Sequence, residues 1–284
     1  MRLALRLASP TALRTAARVT AQMWRLSLIS MRRIGHLFLL GALLVPAVAR
    51  SQTAAERVAL GDKELSAFRP SAALVHYVAA VELEPTNGEA LGKASRASVD
   101  IGEQVTDGAK RKELFKNGEQ YARRAVEASP NDPEVNFHLA RALGLTALSV
   151  GVRERIKFAT EIRRLALRAL SLDADHAGAL HVMGVWNAEV MRLSGIERFF
   201  AKNVLGGRVF SQASWKDALS YMEKAVAVDP TRLTHRLDLG RIYVDVGDRA
   251  KARAQFDFVL SGPQTDFNDP MYKREAEVAL KALK

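Results

Sequence analysis

The chain has 284 residues, no cysteine and a formal net charge of +11. Without cysteine, disulfide staples and thiolate metal sites are excluded. Through Ser51 there are eight arginines and no acidic residue, so the remainder carries 34 basic against 31 acidic side chains, and overall basicity gives no ground for a nucleic-acid-binding class.

Residues 1–51 read as an N-terminal targeting segment. Met31-Arg32-Arg33 supplies a short positive start, residues 37–45 an apolar run, and Pro46 a helix break. Ala47-Val48-Ala49 or Ala49-Arg50-Ser51 then offers small residues for a signal peptidase. The expectation is a secretory signal beginning at Met31, with residues 1–30 an upstream extension and the mature chain exported, periplasmic or secreted. Two other readings fit the same residues: an Arg-rich mitochondrial transit peptide, or an uncut membrane anchor. The apolar run is shorter than a typical transmembrane helix.

From residue 52 onward the pattern is helical and repeated. Ala73, Tyr77, Ala80 and Pro85 place two small residues and one large one on a single helix face and then end the helix. Leu239, Gly240, Tyr243, Ala252 and Phe256 give a matching order near the C-terminus, with Gly240 expected against the helix bearing Ala252 and Phe256. Turns follow at Pro85, Pro130, Ala174, Pro230 and Pro263, which lie 45, 44, 56 and 33 residues apart. A plain tetratricopeptide unit spans about 34 residues, so the first three intervals carry extra residues. The spacing predicts that residues 52–284 form an all-α, tetratricopeptide-like α-α superhelix, a solenoid of antiparallel helix pairs with an insertion at about 190–213 and a C-terminal capping helix. Trp186 and Trp215 are expected in the core near the insertion.

Numbering each unit from Ala54, Gly88, Pro133, Ala177 and Leu233 puts Asp62, Arg96, Arg141, Val185 and Arg241 at the ninth position of the first helix. Stacked units would align these residues along the concave wall, where the guanidinium fork suits carboxylates. The candidate groove residues are Arg96, Phe137, Arg141, His181 and Arg241, with a protein or peptide partner, acidic in character. The rival reading pairs the arginines with Glu64, Glu89, Glu134 and Glu189 of the same first helices. Within the insertion, Ile196, Phe199, Phe200 and Val204 recur at helical spacing; the segment reads either as a packed strap or, through Ile196, Phe199 and Phe200, as a docking patch.

Chemistry-bearing motifs are thin. There is no phosphate-binding loop, no His-Glu-x-x-His helix and no Gly-x-Ser-x-Gly elbow. Asp173, Asp175, His176 and His181 form the densest set of metal-type ligands, and the expectation is that the aspartates cap the following helix instead. His76, His138 and His235 read as ordinary interface or surface histidines. The expected function is non-catalytic, with no catalytic residue, no cofactor, no metal and no nucleic acid.

The stretch from Ala169-Leu170-Ser171-Leu172-Asp173-Ala174-Asp175-His176 through Leu193-Ser194-Gly195-Ile196 and Leu205-Gly206-Gly207 to Trp215-Lys216-Asp217-Ala218-Leu219 resembles the regulator of microtubule dynamics family. The resemblance covers roughly residues 61–284. It implies a tetratricopeptide-like protein-binding scaffold without catalytic residues, whose animal members associate with microtubules and organelle membranes. For an exported chain the architecture carries over and the microtubule partner does not; microtubules apply only in the cytosol, and membrane contact only if the N-terminal segment is retained.

Overall fold

The computed structural model describes residues 52–147, 150–193 and 208–283. The expected targeting segment, and the insertion residues Ile196, Phe199, Phe200 and Val204, lie outside them.

The described residues form five antiparallel helix pairs and a final helix. In chain order these are α1 (Ala54–Ser66), α2 (Pro70–Leu83), α3 (Gly88–Gln104), α4 (Gly108–Ala128), α5 (Pro133–Ala147), α6 (Val152–Leu172), α7 (Ala177–Arg192), α8 (Trp215–Val228), α9 (Leu233–Asp245), α10 (Arg249–Ser261) and α11 (Asp269–Ala282). A 3-10 turn, Arg208–Gln212, precedes α8. The five first helices begin at the residues from which the units were numbered. Local chemistry sets these starts. Thr53 and Glu56 form a reciprocal capping box at α1, Asn87 caps α3, and Pro70 and Pro133 open α2 and α5.

The extra residues of the longer intervals go to two places. In the second and third units they lengthen helices: α3 and α4 have 17 and 21 residues and α6 has 21, against 13 and 14 in the first pair. In the fourth unit they fall between α7 and α8. The end of that connection is anchored where Phe210 stacks on Trp186, with centroids 6.0 Å apart, while the Trp186 indole donates to the Ala159 carbonyl at 2.8 Å. Trp186 is buried and Trp215 half-buried.

Small residues decide how closely each pair packs. The eighth position of the first helix is Gly61, Ser95, Ala140, Gly184 or Gly240, all buried. A Cβ on Gly240 would lie 2.5 Å from the Phe256 ring, and one on Gly61 would overlap the ring of Tyr77. The aromatic ring thus fills the space that the missing side chain leaves, which is the lock expected from Leu239-Gly240. Three apolar clusters run along the array, and the last gathers Tyr243, Phe256, Tyr272 and Ala276, so α11 is held to α9 and α10 by apolar packing.

Candidate functional site

The ninth-position residues follow the small eighth residue, whose face is turned to the partner helix, and so lie on an adjoining face of the first helix. Asp62 accepts from Lys93 at 2.6 Å and from the Tyr77 hydroxyl at 2.8 Å. Val185 packs against the C-terminal apolar cluster. The three arginines all face carboxylates of this same chain.

Arg141 pairs with Asp100 at 2.7 Å and with Glu103 at 2.6 Å. Arg96 lies 3.5 Å from the other Asp100 oxygen, which makes no hydrogen bond, and 3.2 Å from Asp266. Arg241 donates to Asp238 at 2.8 Å and to Glu275 at 2.6 Å. Glu64, Glu89, Glu134 and Glu189 pair elsewhere: with Arg69, with Lys93, with the His138 and His176 rings, and with Arg192. The ladder's counter-charges therefore come from α3, from Asp238 and from the C-terminal segment. Sequence reasoning missed Asp100 and Glu103, although they lie four and seven residues after Arg96, on the same helix face.

The C-terminal segment reaches the wall through a small knot. The Asp269 carboxylate accepts from the Thr265 and Asp266 backbone N–H groups at 2.7 and 2.8 Å, and Asp266 accepts from Asn268 N–H at 3.1 Å. So braced, Asp266 turns its second oxygen to Arg96 at 3.2 Å and Arg232 at 2.9 Å. Asn268 accepts from Gln104 at 2.8 Å and donates to Glu103 at 2.8 Å, and Gln104 also donates to the Phe267 carbonyl at 3.2 Å. Asp266 is 5% and Asn268 0% exposed.

Titration follows these contacts. Burial, reinforced by the nearby charges of Asp100 and Asp266, pushes the Glu103 carboxyl up to about 7 even though Arg141 touches it. Burial also opposes the charges of Asp266 and Arg141. For Asp266, Arg232, the Asn268 N–H and Arg96 more than offset it, so its pKa falls; for Arg141, Asp100 and Glu103 do so, and its pKa rises.

The other expected groove residues occupy a neighbouring polar layer. His181 contacts Asp238 at 2.8 Å, and its ring lies 4.8 Å from that of His235. His235 and His138 are buried, not surface, histidines; burial lowers them to about 2 and about 4, so both rings are neutral at pH 7. Phe137 sits beside the His138 and His176 rings, against Gly178 of α7, and so joins two units. Helix α7 is capped by His176, whose Nδ1 accepts from Ala179 N–H at 3.1 Å, and not by Asp173 or Asp175. Asp173 instead accepts from the Asp175 backbone and Asp175 pairs with Lys224. An imidazole nitrogen does here what an aspartate oxygen was expected to do.

Among the described residues, no three or more His, Asp or Glu side chains are arranged to hold a metal ion. No helix among them is long and apolar enough to cross a membrane. A shallow open concavity of about 460 Å³ lies beside α9 and α11, lined by Arg241, Met271, Arg274, Glu275, Val278 and Ala279. It leaves the Arg241 end of the wall accessible. Carboxylate capture by guanidinium groups is the chemistry this arrangement supports.

Comparisons with known proteins agree with this architecture. The family model described as "Regulator of microtubule dynamics protein 1-3" matches residues 60–284. Regulator of microtubule dynamics protein 1 of Mus musculus is 27% identical over 202 residues, covering 70% of this chain and 66% of its own length. Regulator of microtubule dynamics protein 3 of Bos taurus is 23% identical over 192 residues, covering 66% of this chain and 40% of its own length. This chain therefore spans less than two thirds of either relative. Among solved structures, a thermophilic TPR protein of Thermus thermophilus superposes with a TM-score of 0.55 at 18% identity, covering 80% of this chain and all of that one.

Proposed function

The chain belongs to the regulator of microtubule dynamics protein 1-3 family, and from that premise we propose that its helical array is a non-catalytic scaffold binding a carboxylate-bearing segment of another protein along the concave arginines. The observation that carries the reading is that Arg96, Arg141 and Arg241 each hold two carboxylates, in the geometry an acidic peptide would offer. Arg241 is the entry point, because it borders the open concavity with Met271 and Val278, which supply apolar contact. Phe137 and His181 hold neighbouring units in register behind that surface.

Crosslinking in extracts of the native cell, read by mass spectrometry, identifies the partner. Calorimetry on the Arg241→Gln chain is then expected to give binding about tenfold weaker than wild type, with wild-type affinity falling as salt rises. Equal affinity for the variant and no salt dependence would remove the arginine wall from the function.

Export after cleavage near Ala49 or Ser51 is the setting proposed for this scaffold. The apolar run at residues 37–45 favours a second reading, in which a retained segment ties the array to a membrane as a tethering or cytoskeletal factor. The relatives' names point to microtubules, and that partner belongs to this chain only in the cytosol. N-terminal sequencing of the native protein separates the readings: a start after residue 49 or 51 supports export, and retention of residues 37–45 supports tethering.

A further inference from the structure

Helical repeat arrays are quasi-one-dimensional, each unit touching its neighbours. In this array one set of contacts breaks that rule. Gln104 meets Asn268, Glu103 meets Asn268, and Arg96 meets Asp266, pairs separated by 164, 165 and 170 residues. These contacts join the wall of the second unit to the entry of α11. They are polar throughout, whereas α11 is packed on α9 and α10 by Tyr272 and Ala276. α11 is thus packed on the last unit, with Tyr272 also within electrostatic reach of Glu103 and Arg141, and residues 265–268 form a polar clasp between distant units.

We infer that this clasp is a gate on the concave groove, and that the partner opens it by placing its own carboxylate where Asp266 sits on Arg96 and Arg232. The inference rests on the groove reading above and adds to it the ligand's chemistry and its regulation. Asp266 meets the requirements of a stand-in ligand. It is a carboxylate on a peptide segment shaped by its own internal hydrogen bonds, and it is held by two arginines from different units, α3 and the start of α9. The contacts that separate on opening are made by charged and amide groups that water or a partner can satisfy, with the half-buried Phe267 between them. Since the clasp is tethered, it competes with any free peptide at high effective concentration, so the closed chain binds weakly and the opened chain binds well.

The chain's lack of cysteine makes a thiol staple unique. In the full chain carrying Gln104→Cys and Asn268→Cys, at positions whose amide groups touch at 2.8 Å, a bismaleimide linker with an internal disulfide joins the two thiols; it locks the clasp while that disulfide is oxidised and frees it when reduced. The full chain carrying Asp266→Asn and Asn268→Ala opens it. The probe is a synthetic peptide of residues 262–273, Gly-Pro-Gln-Thr-Asp-Phe-Asn-Asp-Pro-Met-Tyr-Lys, titrated by fluorescence anisotropy, with hydrogen exchange of residues 262–268 read in parallel. The opened variant is expected to bind at least about tenfold tighter than wild type, the oxidised staple to bind nothing, and reduction to restore binding. Equal binding by wild type, opened variant and oxidised staple would overturn the gate while leaving a peptide-binding scaffold standing. If exchange at residues 262–268 accelerates in the opened variant and the peptide still does not bind, the arginine wall itself fails as a carboxylate site and the gate falls with it. The oxidised and reduced staple are one protein under two conditions, so the comparison holds even if the opened variant folds poorly.

Discussion

Glu103 carries one more negative charge than its surroundings accommodate. Facing it are Arg141 from α5, Asp100 on its own helix, and Asp266, Asn268 and Tyr272 from the C-terminal segment. Its carboxyl titrates near 7, above the ordinary value of 4.5, so the folded chain binds a proton there that the unfolded chain does not. That contribution is full below about pH 4.5, shrinks as pH rises and is gone above about pH 7, and amounts to about 3 kcal/mol. His138 and His235 run the other way: lowered by burial, they favour the folded state above their ordinary value of 6.5 and cost stability as pH falls. Glu103→Gln isolates the first effect, because an amide still accepts from Arg141 and Asn268. Thermal melts at pH 5 and 7.5 are expected to show the variant gaining on wild type at the higher pH; parallel pH profiles would mean that Glu103 is ionised in the fold throughout. Nearby, His176→Ala removes the α7 cap and the contact with Glu134, and is expected to cost about 1–2 kcal/mol in urea unfolding. An unchanged midpoint would assign the cap no weight.

At the scale of the helix, what packs a pair is a small residue under a large ring. Gly240→Leu drives a branched side chain into the space occupied by Phe256, and is expected to lower stability by about 1–3 kcal/mol. Pairing it with Phe256→Ala vacates that space, so the double variant should melt closer to the Phe256→Ala single variant than additivity allows; strict additivity would show that the two residues do not share a contact. These locks and the turns between units were legible in the sequence because they are local: proline, a capping side chain and a small residue seven positions into a helix act within one unit. The clasp was not legible. Asp266 and Asn268 lie in a run, Gln264-Thr265-Asp266-Phe267-Asn268-Asp269, that carries turn residues and no periodicity, and their partners on α3 are more than 160 residues away. Arg96 and Arg141 were visible as a wall, but the counter-charges Asp100 and Glu103 on α3 carry no motif or spacing that singles them out. The α7 cap was assigned to aspartate because propensity favours it there; the Glu134 carboxylate, reaching His176 from another unit at 2.9 Å, orients the imidazole for the task.

Across the whole molecule, the clasp turns an additive string of units into a coupled one. Trp186 and Trp215 both belong to the fourth unit, and with the third tryptophan removed by Trp24→Phe, fluorescence reports that region while circular dichroism reports every helix. Wild-type urea transitions followed by the two probes are expected to coincide. In the Asp266→Asn, Asn268→Ala chain they should separate, because the first units and the last no longer share contacts. Coincident transitions in both chains would mean that neighbour contacts alone carry the cooperativity.

Synthesis adds a consequence of the same contacts. The wall of Arg96, Glu103, Gln104 and Arg141 leaves the ribosome long before Asp266 and Asn268 are made. At roughly 5–20 residues per second, the interval is on the order of 10 s, ample time for local helices to form. During those seconds the growing chain shows water an open row of charged side chains that the finished protein covers. A ligand or chaperone with a suitable carboxylate meets that row without competition, and the same molecule arriving after Asn268 has docked must first displace a segment that is already in place.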